Sequence, residues 1–187
     1  MGKYSKLIAV TNRHLCKGDY LRQIERVAAL APNSLILREK DLNKDEYSLL
    51  AKKVMNICKE HNLPCFIHSH MDVAEDLGCR RMHFSVKKLR ENSSNLSFFE
   101  EVSVSCHSLE EVSEAISLGA TQVVVGNIFE TDCKKGLPGK GLSFLQEICK
   151  NSTVPVYGIG GIDLENLPLL LSVGAEGGCM MSGFMKL

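Results

Sequence analysis

No two cysteines are spaced C-x-x-C, neither sign of charge is in excess, and no apolar run approaches the length of a membrane span. Each absence removes a class of protein. The eight cysteines, scattered from Cys16 to Cys179, read as reduced thiols rather than as a structural zinc site or a disulfide framework. With 22 basic and 22 acidic residues the formal net charge is zero, so no global field favours nucleic acid or an anionic membrane. Any anion site must be local. The apolar segment after Lys6 is soon interrupted by Asn12 and Arg13, too early for a secretory signal, which makes a cytoplasmic protein the expectation. No Pro/Gly/Ser-rich linker divides the 187 residues, so one domain with one core is expected over 1–187.

What is present is alternation. Short apolar runs of strand length occur at Leu7 to Thr11, Ser34 to Arg38, Cys65 to His68, Arg81 to Phe84, Val102 to Cys106, Thr121 to Gly126, Val154 to Ile159 and Ala175 to Met181. Between them, Asp19 to Leu30, Asp45 to His61, Met71 to Leu77, Leu109 to Leu118, Leu142 to Lys150 and Leu164 to Ser172 have helical periodicity, several opened by caps such as Asp19, Asp45, Ser108 or Asp163. The stretch from Val86 to Phe99 has no clear pattern. Eight βα units predict an α/β fold, a compact (β/α)8 TIM barrel, although the chain is shorter than the roughly 200 residues usual for that fold. After Ser182 only the five residues Gly183 to Leu187 remain beyond the eighth strand, so the last outer helix is expected to be missing. The apolar groove this leaves beside the first and eighth strands would suit a partner subunit, hence a homo-oligomer.

In such barrels function is carried by the loops at the C-terminal ends of the strands. Here they are polar: Arg38-Glu39-Lys40 after strand two, His68-Ser69-His70 after strand three, His83 on strand four, Cys106-His107 at the end of strand five, and Asn127 after strand six. Four of six histidines fall on this rim. Glycines mark the last two strand ends, in Ile159-Gly160-Gly161-Ile162 and Met181-Ser182-Gly183. Loops at these two positions commonly cradle phosphate, because glycine lets backbone amides approach an anion closely. The presumptive helix start at Asp163-Leu164-Glu165 would add amide donors. A tight βα turn is the plainer account of the same glycines. The segment from Gly126 to Gly141, with Lys134, Lys135 and Lys140, reads either as a basic lid or as a solvated loop.

Leu37-Arg38-Glu39-Lys40, Ile67 to Ala74, Val125 to Gly141 and the two glycine-bearing segments stand in the order and spacing of the thiamine phosphate synthase and TenI superfamily, which the chain resembles over nearly its whole length. The runs Cys106 to Glu111 and Phe129 to Gly136 look most like the TenI branch of thiazole tautomerases. The resemblance implies that a synthase joins a pyrimidine diphosphate to a thiazole phosphate with Mg2+, whereas a tautomerase isomerises a thiazole carboxylate phosphate and needs no metal.

Several positions depart from the synthase pattern. Arg38 and Lys40 match its Gln-x-Arg-x-Lys motif, but Ile36 replaces the glutamine, and its Asn-Asp pair is His68-Ser69. Asp72 matches the first magnesium-binding aspartate, while Lys88 falls at the second, and a lysine is no ligand for that ion. The Thr-x-Thr-Lys segment is Thr131-Asp132-Cys133-Lys134. The tautomerase pattern places a proton-shuttling histidine where this chain has Asn127, an amide that does not titrate near neutrality. His107, then His68, is the expected substitute acid/base. The resulting expectation is a TenI-like protein of thiamine biosynthesis that binds a small-molecule phosphate ligand, a thiazole phosphate, at Gly160, Gly161, Ser182 and Gly183, with Arg38, Lys40, Thr131 and Lys134 facing its other polar groups. A thiamine phosphate synthase, a non-catalytic thiazole phosphate-binding protein, or a different phosphate-binding barrel enzyme are the alternatives.

Overall fold

The computed structural model describes residues 2–131 and 136–187. Eight parallel strands close into a barrel in sequence order: β1 Leu7–Val10, β2 Ser34–Leu37, β3 Cys65–His68, β4 Arg81–Ser85, β5 Glu101–Cys106, β6 Gln122–Gly126, β7 Val156–Ile159 and β8 Gly177–Met180. The ring closes through β1 and β8, with Ile8 opposite Cys179. Runs such as Leu-Ile-Ala-Val in β1 are apolar at every position because both faces of a barrel strand are buried. Alternate residues then part company. Ile8, Val10, Ile36, Phe66, Val124, Tyr157 and Cys179 pack together as one cluster, while Leu7, Ala9, Leu35, Leu37 and Ile67 belong to a second that includes the helices.

The helices among the described residues are α1 Tyr20–Ala29, α2 Lys44–Glu60, α3 Met71–Asp76, α4 Val86–Asn92, α5 Leu109–Ser117, α6 Gly141–Asn151, α7 Leu167–Ser172 and α8 Ser182–Met185. In α1 the buried positions Gln23, Ile24, Val27 and Ala28 form one stripe, and the Asp19 carboxylate accepts the Arg22 N–H to start the helix. Helix α2 is capped by Asn43 rather than by Asp45, because Asn43 and Glu46 make a reciprocal capping box. Removing that cap by Asn43→Ala costs about 1 kcal/mol. The unclear stretch resolves into α4 and a 3-10 turn over Ser93–Phe98.

Two expectations at the end of the chain are corrected. Helix α7 starts at Leu167, not at Leu164, because Asp163 caps a turn of its own, its Oδ1 accepting the Glu165 and Asn166 amides at 2.8 Å each. Those amides are therefore taken. The last outer helix is a single turn, α8, whose Phe184 and Met185 are buried where the empty groove was expected. Gln23 fastens this turn by donating from Nε2 to the Phe184 carbonyl at 2.6 Å.

Candidate functional site

A cavity of about 470 Å3 opens at the C-terminal ends of the strands. Val10, Ile36 and Val124 belong to its apolar wall. Above them the wall changes character around the ring.

On β7 and β8 it is backbone. Gly160 and Gly161 line the cavity together with Ser182, and the register that sets Ile159 opposite Cys179 makes these two exits neighbours. Gly160 has φ +102° and Gly161 φ +64°, conformations that favour glycine. A Cβ on Gly161 would lie 2.6 Å from the Glu130 carbonyl oxygen, and one on Gly160 would lie 2.6 Å from the Asn127 Cβ. The first helical hydrogen bond of α8 is Met185 N–H to the Met181 carbonyl, so the Ser182 and Gly183 amides precede it and have no acceptor within the helix. Gly183 itself is exposed and is not on the cavity wall.

On β2 the wall is cationic. Arg38 and Lys40 line the cavity, and the residue between them turns inward as their anchor. The buried Glu39 carboxylate accepts from the Thr11 hydroxyl at 2.7 Å, from the Arg13 amide at 3.1 Å and from the Tyr20 hydroxyl at 3.1 Å. Thr11 Oγ1 in turn accepts the Arg38 N–H at 2.9 Å. Withdrawal from solvent, then the Arg38 charge, lowers the Lys40 ammonium from its ordinary pKa. A second brace comes from α2: the buried Tyr47 hydroxyl donates to the Leu37 carbonyl at 2.6 Å and accepts the His68 N–H at 3.0 Å.

The histidines divide by depth. His83 is buried inside the barrel, Nδ1 2.9 Å from Ser103 Oγ and Nε2 2.8 Å from Ser105 Oγ. His68 stacks on it with ring centroids 5.7 Å apart. Burial, then the charges of Arg38 and Lys40, pushes His68 down to about 3. Burial, followed by His68 and the same two cations, holds His83 well below the ordinary imidazole value. Both rings are neutral at neutral pH. His70 is not on the cavity wall, since it opens α3 and packs against Tyr47 at 4.4 Å.

His107 is exposed and lines the cavity. Its Nδ1 lies 2.9 Å from the Gly126 carbonyl, which only accepts, so Nδ1 carries the proton and Nε2 is left as an acceptor. Asn127, next to Gly126 in the chain, also lines the cavity and is 6 % exposed. Thr131 also lines the cavity, and Lys134 lies outside the described residues. The segment after β6 is sewn down at both ends: Phe129 N–H donates to the Gly160 carbonyl and Lys140 N–H to the Asn127 carbonyl, each at 3.0 Å. Lys140 does not face a ligand, because its ammonium donates to the His107 carbonyl.

Sequence reasoning missed Ser85, Ser105, Lys87 and Glu111, all of which line the cavity. The first two were legible, since they share the inward parity of His83 and Ser103 on β4 and β5. Lys87 sits in the first turn of α4, within the stretch that carries no clear pattern. Glu111 is in the first turn of α5, where its carboxylate accepts the His107 N–H.

The donor set does not suit magnesium. Asp72 lies outside the cavity wall, half exposed, with its carboxylate 2.5 Å from the Lys44 ammonium. Lys88 is paired with Glu91 at 2.9 Å. Among the described residues no three His, Cys, Asp or Glu side chains are placed to share a metal ion.

Fold and cavity together define a (β/α)8 barrel with a polar, cation-bearing pocket at its C-terminal mouth. Residues 7–184 match the family described as thiamine monophosphate synthase, and the chain belongs to that family. It is 30% identical over 179 residues to the thiamine-phosphate synthase of Clostridium tetani, covering 94% of this chain and 86% of the relative. It is 31% identical over 184 residues to that of Clostridium acetobutylicum, covering 97% and 87%. The thiamine phosphate pyrophosphorylase from Pyrococcus furiosus superposes with a TM-score of 0.82 at 24% identity, over 98% of this chain and 88% of that one. These relatives favour the synthase over the TenI branch, reversing the preference drawn from the sequence motifs.

Proposed function

We propose that the barrel mouth binds a thiazole phosphate, with its phosphate on the amides of Gly160, Gly161 and Ser182, and that the chain joins it to a pyrimidine diphosphate as a thiamine-phosphate synthase. One observation carries this reading: Gly160, Gly161 and Ser182 line the same cavity as Arg38 and Lys40. That arrangement supplies one pole for a phosphate and another for a diphosphate, over the apolar floor of Val10, Ile36 and Val124 on which heteroaromatic rings can rest. In the condensation the new bond to the thiazole forms as the bond to the diphosphate breaks. Cations fixed around the departing group stabilise the charge that develops on it. The neutral His68 and His83 add no competing charge.

A second reading, isomerisation of a thiazole carboxylate phosphate, is favoured by the TenI-like runs from Cys106 to Glu111 and from Phe129 to Gly136. The geometry of His107 supports it, because Nε2 is left as an acceptor beside the cavity. Purified protein incubated with thiazole phosphate and pyrimidine diphosphate is expected to form thiamine phosphate, followed by chromatography. Turnover of the thiazole carboxylate phosphate alone would move the assignment to the tautomerase, and failure to bind either thiazole phosphate would sink both readings.

A further inference from the structure

Several cations outside the mouth are paired with carboxylates, among them Lys44 with Asp72, Lys88 with Glu91 and Arg13 with Asp41. Arg38, Lys40 and Lys87 face the cavity, and among the described residues none of the three has a carboxylate within 4.0 Å. Glu39, between Arg38 and Lys40, turns away to Thr11, Arg13 and Tyr20. Glu111 is the cavity-lining carboxylate among the described residues, and it is engaged by the His107 amide.

We infer that a diphosphate group entering this mouth is balanced by Arg38, Lys40 and Lys87 themselves, with no divalent cation between it and the protein. The inference rests on the reading above for the identity of the ligand. Arg38 and Lys40 repel one another across the β2 exit in the empty protein, and a polyanion relieves that repulsion. A dication brought to the same place would meet the same repulsion, with no carboxylate among the described residues of the wall free to hold it. Arg38 presents a fork that matches two phosphoryl oxygens, whereas Lys40 and Lys87 act as point charges on either side. Lys87 comes from the first turn of α4, across β3 from the β2 exit, so the cluster spans an extended group rather than a single phosphate.

Calorimetric titration of the protein with inorganic pyrophosphate, in EDTA and again in magnesium chloride, tests this. Binding is expected in EDTA, and magnesium is expected to leave the affinity unchanged or to lower it by competing for the ligand. Lys87→Gln should weaken binding about tenfold or more, the effect of losing one charge-assisted contact, while Lys88→Gln should shift it by less than about twofold. No binding in EDTA, a tenfold tightening by magnesium, or an unchanged affinity in Lys87→Gln would each overturn the inference. Thiazole phosphate titrated into the same preparations keeps the two ideas apart. If it binds while pyrophosphate requires magnesium, the functional reading survives and this one does not.

Discussion

The β7–β8 arc of the mouth and the β2–β5 arc facing it are made of different material. The first is backbone: two glycines with positive φ and the amides that open a one-turn helix. The second is side chain: Arg38, Lys40, His68, His83, Ser105 and His107 on an inner layer of barrel residues. Backbone donors do not change when a side chain is replaced, provided that the chain can still take the turn, whereas a side-chain donor is lost with one substitution. Among the described residues, the departures from the family pattern fall on the second kind of wall or beside it: Ile36, His68, Ser69, Lys88 and Asn127. On the proposed reading, a phosphate pole of fixed character thus coexists with a reacting pole whose side chains differ from the family pattern.

The comparison is broken most directly by Gly161→Asp. The new side chain would meet the Glu130 carbonyl and carry negative charge to the anion pole, so thiazole phosphate affinity measured by calorimetry is expected to fall by more than about 100-fold. Undiminished affinity would remove the amide cradle. Asn127→His tests the other arc: if only the proton shuttle is lacking, turnover of the thiazole carboxylate phosphate should rise by about 100-fold, and a flat rate would exclude that account. Arg38→Ala should weaken pyrophosphate by about 10- to 100-fold while inorganic phosphate at the β7–β8 pole changes far less, which is the sharpest separation of the two walls.

The smallest effect concerns pH. The folded pKa of His68, about 3, lies below the ordinary imidazole value of 6.5, so on acidification the unfolded chain takes up the proton first. Stability from the neutral ring is whole above about pH 6.5 and is lost as pH falls from there toward 3. Thermal melts of His68→Gln between pH 7 and 4.5 should therefore show a shallower acid slope, by at most about 1.4 kcal/mol per pH unit. An identical slope would mean that His68 binds its proton alike in the folded and unfolded protein.

The barrel was legible because both walls of each strand are buried, and β3 matches its expected limits at Cys65 and His68. Helix starts were less so. Asn43 and Asp45 are equally good caps by residue type, and only Glu46 reaching back to Asn43 decides between them. At Asp163 a capping residue was present but capped a turn three residues ahead of the helix, with Pro168 in the first turn of α7. For the site, strand order placed Arg38, Lys40, His68, His107, Asn127, Gly160, Gly161 and Ser182 on one wall, as the alternation of βα units implies. Depth was not legible: nothing in the sequence separates His83, held between two serines inside the barrel, from His107 at the surface. Nor does sequence tell Lys87 from Lys88, adjacent residues of which one faces the cavity and the other a glutamate on its own helix.

Tyr47 gives the mouth a remote control. Its hydroxyl ties the last carbonyl of β2 to the last amide of β3, so a helix on the outside of the barrel sets the spacing between the strand that delivers Arg38 and the strand that delivers His68. Repacking beneath α2 would therefore alter how far apart the Arg38 and His68 arms stand, without a change to any residue of the cavity wall.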